Sequence, residues 1–210
     1  MQPTDYPVSF TVDYPDHPLD RLTTFFRIFV AIPILIVLGA VAGATWQWSS
    51  DEHTGTVAAG TGGLLFFAPL LMILFRRKYP RWWFDFNLEL QRFGNRVAAY
   101  LALMGDRYPS TDDHQTVHLD YRYPDATHEL NRWLPLVKWF LAIPHYVVLF
   151  FLHIGVVVAV VIAWFAILFT RRYPRRLFDF VEGVLRWHNR VNAYAFVLVT
   201  DAYPPFRLRP

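Results

Sequence analysis

FRRKYPRWWFDF (Phe75–Phe86) and FTRRYPRRLFDF (Phe169–Phe180) are two versions of one basic, aromatic, proline-punctuated stretch, and each follows a long apolar run. The Tyr-Pro step marks a corner. Proline cannot extend a helical hydrogen-bond ladder, and the residue before it is pushed out of helical geometry. Proline is tolerated again in the first turn of the next helix. The cations Arg76, Arg77, Lys78 and Arg81, with their counterparts Arg171, Arg172, Arg175 and Arg176, stand where the apolar runs end. Beside an anionic leaflet each such cation contributes about 1 kcal/mol. These residues are therefore candidate lipid-headgroup or interface anchors.

The apolar runs set the class of protein. The chain has 210 residues, 54% hydrophobic and 18% aromatic, and no cysteine; a soluble domain is about 45–50% apolar. Ile28–Ala44, Val57–Phe75 and Trp139–Phe169 contain no Asp, Glu, Lys or Arg. A charge-free stretch of about 18 residues or more is a candidate membrane span. The third run is too long for one span of about 20 residues and reads as two helices joined at Gly155. The residues before the first run have neither a basic start nor an early apolar core, so no signal peptide is expected there. Without cysteine, disulfides, thiol chemistry and cysteine metal sites are excluded.

The likeness between the two corners extends along the chain in the same order. VDYPD (Val12–Asp16) recurs as YRYPD (Tyr121–Asp125), and FVAIP (Phe29–Pro33) as FLAIP (Phe140–Pro144). NRVAAY (Asn95–Tyr100) recurs as NRVNAY (Asn189–Tyr194), and GDRYP (Gly105–Pro109) as TDAYP (Thr200–Pro204). Such an internal repeat fixes the unit of structure. The units read as 1–109 and 110–210. The first holds a helical hairpin over about 25–44 and 57–76 and an amphipathic helix over about 81–104. The second holds a hairpin over about 136–153 and 155–170 and an amphipathic helix over about 175–199. The offset between units falls from 111 at Pro33 and Pro144 to 94 at Tyr79 and Tyr173, which assigns the extra residues to a loop between the first pair of spans.

The expected fold is an all-α integral membrane protein with four transmembrane helices, arranged as two parallel-repeated hairpins, each followed by a cytoplasmic interfacial helix. Trp83, Phe86, Leu90, Phe93, Val97, Leu101 and Met104 fall on one helical stripe, and Leu177, Phe180, Val184, Trp187, Val191, Ala195 and Leu198 repeat it. Basic residues beside an aromatic amphipathic helix belong at a membrane–water interface. All Lys and Arg lie outside the loop Thr45–Gly60, which is expected to place both termini in the cytoplasm. VSFTVDY and TVHLDYRY, ahead of each first span, alternate as strands do and can pair with each other. Pro33 and Pro144 are expected to kink the first span of each hairpin.

Candidates for chemistry are few. Asp85 and Asp179 sit in matched FDF triplets, where ion pairing or helix capping outweighs acid–base work. The pairs Asn95-Arg96 and Asn189-Arg190 are expected to tie the amphipathic helices to loops or headgroups. His145 and His153 stand on one predicted helix about 12 Å apart along its axis, too far to share an axial cofactor position, so His145 reads as an interface hydrogen-bonding group. No phosphate-binding glycine loop, zinc HExxH or GxSxG elbow is present.

LVKWFLAIPHYVVLFFL (Leu136–Leu152), RRYPRRLFDF (Arg171–Phe180) and RVNAYAFVLVTDAYPPF (Arg190–Phe206) resemble the bacterial membrane family known as domain of unknown function 4389. The resemblance takes in the chain as two tandem copies, the first looser, with AIPI for AIPH and YPS for YPPF. It implies an integral membrane protein and brings no catalytic residues with it. The expected function is a non-enzymatic accessory or scaffolding subunit of a larger membrane complex; the alternative is binding or transport of a lipid or other apolar small molecule between the repeats. Membrane lipids and a membrane-protein partner or second copy are the expected partners, with no nucleic acid, no metal and no cofactor beyond bound lipid.

Overall fold

The computed structural model describes residues 6–42, 45–50, 53–58, 64–111, 113 and 115–210. In chain order the elements are β1 (Val8–Val12), α1 (Arg21–Ala42), the hairpin strands β2 (Thr45–Ser50) and β3 (His53–Ala58), and α2 (Leu64–Leu71), which continues as a π-turn over Met72–Arg76. Then come α3 (Arg81–Leu101), β4 (Val117–Tyr121), a short 3₁₀ turn (Leu134–Leu136), α4 (Lys138–Leu141), α5 (Ile143–Thr170) and α6 (Arg175–Asn192). A second π-turn, Ala193–Val197, closes α6.

β1 and β4 pair antiparallel with Phe10 opposite Leu119. In both strands alternate residues face inward: Val8, Phe10 and Val12 in one, Val117, Leu119 and Tyr121 in the other. A lone two-stranded ribbon is marginal in water and needs a helix to cover its apolar face. Here α3 and α6 cover it. Arg92 Nε on α3 donates to Leu119 O at 2.8 Å, and Arg186 Nε on α6 donates to Phe10 O at the same distance. The other faces of α3 and α6 take α1 and α5. Three layers result: sheet, amphipathic helices, apolar helices.

Among the described residues, two helices are long and apolar enough to cross a membrane: Arg21–Val41, with mean hydropathy 2.4, and Ile143–Thr170, with 2.8. Only 22% of the apolar window of the first and 17% of the second is buried. A core helix of a soluble protein would be covered on most sides, so these two are not core helices in that sense. Four spans are expected from the sequence; among the described residues two helices of that length are found. The helix Phe66–Arg76 is shorter, about 17 Å at 1.5 Å per residue, and part of the expected 57–76 span is strand β3.

Gly155 does not turn the chain. It lies inside the unbroken helix α5, and its missing side chain admits the Phe180 ring of α6: a Cβ there would stand 3.2 Å from Phe180 Cζ. The glycine signal was therefore a close helix approach rather than a corner. The residue matched to it, Ala44, lies outside the described residues. In the first half the comparable stretch is interrupted by the β2–β3 hairpin. Pro144 likewise does not kink a span; it occupies the first turn of α5, just after Ala142 ends α4. Pro33 does lie inside α1.

The corners form as the Tyr-Pro pattern requires. Arg77 (φ 48°) and Arg171 (φ 58°) take the left-handed conformation that ends each preceding helix, and Pro80 and Pro174 are the N-caps of α3 and α6. Arg21 Nη2 donates to Phe169 O and Arg132 Nε to Leu74 O, both at 2.9 Å, so each arginine satisfies a carbonyl at a helix end. One residue separates the spacing Tyr100–Asp106 from Tyr194–Asp201. The π-turn after α6 accommodates it.

Gly183 faces the C-terminal segment, where an added Cβ would lie 2.9 Å from Leu208 Cβ and 3.1 Å from Leu208 O. Gly39 has no atom within 4 Å of its Cβ position. Gly183→Ala is expected to lower thermal stability and release residues 206–210 to protease, whereas Gly39→Ala should be neutral or stabilising by up to about 1 kcal/mol. Melting in mild detergent with limited proteolysis measures both.

Candidate functional site

The strongest polar construction is a pair of interior cation–carboxylate ties. Arg27 on α1 meets Asp106 at 2.7 Å, with its Nη1 donating to Gly105 O at 2.5 Å and its guanidinium 4.2 Å from the Tyr100 ring. Lys138 on α4 meets Asp201 at 2.7 Å, donates to Thr200 O at 2.7 Å, and sits 5.1 Å from the Tyr194 ring. The aspartates also accept backbone N–H groups from Asp20 (2.7 Å) and Asn131 (2.6 Å). Burial pushes the Lys138 ammonium below the ordinary lysine range, and Asp201 pulls it back. Each tie fastens the start of an apolar helix to the closing Tyr-Pro loop.

Sequence reading passed over these four residues. The signal was present: Arg27 and Lys138 are cations at the 111-residue offset, each shortly before an AIP motif, and the aspartates lie in the matched GDRYP and TDAYP stretches.

Asn95 and Asn189 meet where α3 and α6 cross. Asn95 Nδ2 donates to Asn189 Oδ1 (2.8 Å) and Asn189 Nδ2 to Asn95 Oδ1 (2.7 Å); each amide also donates to the carbonyl four residues back. Arg96 and Arg190 are buried and serve loops. Arg96 donates to Ser110 O and Thr111 O, and Arg190 to Arg207 O and Arg209 O, at 2.9–3.2 Å. Burial, followed by the nearby Arg207 and Arg186 charges, pushes Arg190 down to about 10.

The eight corner cations divide. Arg81 pairs with Asp85 (3.2 Å) and Arg175 with Asp179 (2.8 Å), and these guanidinium groups lie over the Tyr123 and Tyr14 rings at 4.9 and 4.6 Å. The FDF aspartates thus hold arginines against tyrosines of the opposite strand's YPD turn. Those tyrosines complete the lock: Tyr14 Oη donates to Tyr173 O and Tyr123 Oη to Tyr79 O. Arg76, Arg77, Lys78, Arg171, Arg172 and Arg176 are exposed and, among the described residues, form no ion pair.

His145 lies in the first turn of α5, fully buried. Trp187 Nε1 donates to its Nδ1 at 3.1 Å, which assigns the ring proton to Nε2. The Phe206 ring stacks on it at 4.0 Å and Tyr203 lies 4.8 Å away. This aromatic box locks the loop after α6 onto the start of α5.

Residues 133–207 match the family model described as Domain of unknown function (DUF4389). The matched segment carries the Lys138–Asp201 tie, the His145 box and the second corner, while residues 1–132 lie outside it. Neither the curated proteins nor the solved structures compared with the chain contain a match.

A groove of about 590 Å³ runs between α3, α6 and α5. Val156, Val157, Val160 and Val161 form its apolar wall; Gln91 and Asn192, joined by a 2.8 Å hydrogen bond, lie at its polar side. His153 donates from Nδ1 to Leu149 O (2.7 Å), leaving Nε2 as an acceptor, and its ring meets His188 edge-on at 5.4 Å. A second cavity of about 260 Å³ beside Arg27 and Trp164 shares Leu101, Val160 and Val161 with the groove.

Lys138→Met is expected to cost about 3 kcal/mol, because it leaves Asp201 without its cation. Arg81→Ala, which removes a half-exposed pair, should cost less than about 1 kcal/mol. Urea unfolding in detergent micelles compares the two.

Proposed function

We propose that the chain is a non-enzymatic protein of the bacterial inner membrane, with its sheet and basic corners on the cytoplasmic side, and that it binds a neutral amphiphilic lipid. The single observation that carries this reading is the α3–α5–α6 groove. Its wall is aliphatic and its polar side offers amide and imidazole groups without a free charge. Such a lining suits an apolar chain ending in an uncharged, hydrogen-bonding head, and disfavours a phosphorylated one. Arg27, next to the adjoining cavity, is already neutralised by Asp106.

Two units of one design support the reading. The ties Arg27–Asp106 and Lys138–Asp201, the strand contacts of Arg92 and Arg186, and the crossing of Asn95 with Asn189 relate residues at matching places. We read the chain as a tandem duplication whose second half is the one the family model matches. The groove then lies between the two units. The acids singled out as catalytic candidates support a non-enzymatic role, since Asp85 and Asp179 are each held by an arginine at the surface.

Gly94 lines the groove, and its Cβ position has no atom within 4 Å. Gly94→Leu therefore starts its side chain in open space on the groove's wall and gains helix propensity of up to about 1 kcal/mol. Native mass spectrometry from mild detergent is expected to show a neutral lipid on the wild-type chain and none on Gly94→Leu. Equal retention by both, or none on either, overturns the proposal. A stoichiometric protein partner in place of lipid returns the accessory-subunit reading.

A further inference from the structure

The direction of α5 can be read from the residues that touch it. His145 meets Trp187 at 3.1 Å, and a Cβ at Gly155 would stand 3.2 Å from Phe180 Cζ; before and beyond these helices Lys138 of α4 meets Asp201. As α5 advances, its partners on α6 recede, so α6 runs antiparallel alongside it. On its opposite face α6 holds β1: Arg186 Nε donates to Phe10 O at 2.8 Å, and Val12 N donates to Glu182 Oε1 at 3.2 Å. β1 is therefore level with the 145–155 part of α5, its N-terminal portion. In the other half the strand is level with the middle of α1. Ala31 and Ile34 of α1 pack on Phe93 and Val97 of α3, and the neighbouring Arg92 holds β4 through Leu119 O.

The outer face of the β1–β4 sheet is polar. Ser9, Thr11, His118 and Asp120 are exposed there, and among the described residues no third strand joins the sheet at its edges. If α1 and α5 crossed the bilayer, this face and these edges would stand at the depth of the hydrocarbon. Open sheet edges do not occur there, and a carboxylate is strongly disfavoured. Only one orientation keeps the sheet in water while the exposed apolar face of α1 and α5 leaves it. The helices must then lie flat.

Resting on the reading of the chain as a membrane protein, we propose that α1 and α5 lie in the plane of one leaflet of an anionic phospholipid bilayer, with the β1–β4 sheet in water and no segment of either helix crossing. The face that enters the leaflet is at hand: Val147, Ile154, Val158 and Phe165 recur on one side of α5, each 51–54% exposed. Charge complementarity names the partner. The exposed cations Arg76, Arg77, Lys78, Arg171, Arg172 and Arg176, without an ion pair among the described residues, stand at the ends of α2 and α5 and the start of α6, where phosphates of the same leaflet would meet them. Exposed Trp82, Trp133 and Trp139 supply the interfacial aromatics.

The test uses the absence of cysteine from the chain. Spin labels are placed singly at Val147→Cys, Ile154→Cys, Val158→Cys and Phe165→Cys in the full chain, reconstituted in mixed phosphatidylcholine–phosphatidylglycerol vesicles. Depth is read from the ratio of oxygen to nickel-chelate relaxation. The expected result is one shallow depth for all four, about 5–10 Å below the headgroups. A crossing helix would separate the first and last labels by about 27 Å along the membrane normal, with Ile154 and Val158 deepest. That profile overturns the in-plane orientation and leaves the membrane reading standing. Full nickel accessibility at all four positions overturns both.

Discussion

The middle layer of this protein is one helix thick. α3 and α6 carry arginines and glutamate on one side and apolar residues on the other, and both sides are used: Arg92 and Arg186 hold strand carbonyls while Phe93 and Trp187 pack on α1 and α5. A helix is only about 10 Å across, so the water-facing sheet and the apolar helices are separated by no more than that. Every other feature must accommodate this short distance between an exposed polar sheet and two largely exposed apolar helices.

The buried ionic groups are arranged accordingly. Arg27 and Lys138 stand at the margin between layers, each held by a carboxylate, a loop carbonyl and an aromatic ring. A cation placed there without partners would be strongly destabilising; with them it pins the beginning of an apolar helix to the end of an amphipathic one. The Asn95–Asn189 pair plays the neutral counterpart at the crossing of α3 and α6, where a reciprocal amide pair satisfies both side chains and fixes their register.

Exchange between the halves adds a second constraint. Tyr14 bonds the second corner and Tyr123 the first, and each of Arg92 and Arg186 reaches the strand of the other half. Neither half satisfies all of its polar groups alone. Such mutual completion makes the two halves one folding unit, even though the family model matches residues 133–207 by themselves.

The sequence alone determined the local features: the Tyr-Pro corners, the amphipathic stripes of α3 and α6, the pairing of the two short strands, and the ion-pair role of Asp85 and Asp179. Each depends on neighbours within a few residues, or on a period that burial then obeys. It could not determine what Gly155 is for, because a glycine that turns a chain and one that admits a neighbouring ring are written alike. Nor could it separate an apolar helix that crosses a bilayer from one that lies along a polar-backed layer, since hydropathy has no direction. Only the tertiary structure bears on that, by placing an exposed polar sheet level with the middle of α1 and the N-terminal portion of α5, helices whose own sequences are compatible with spanning.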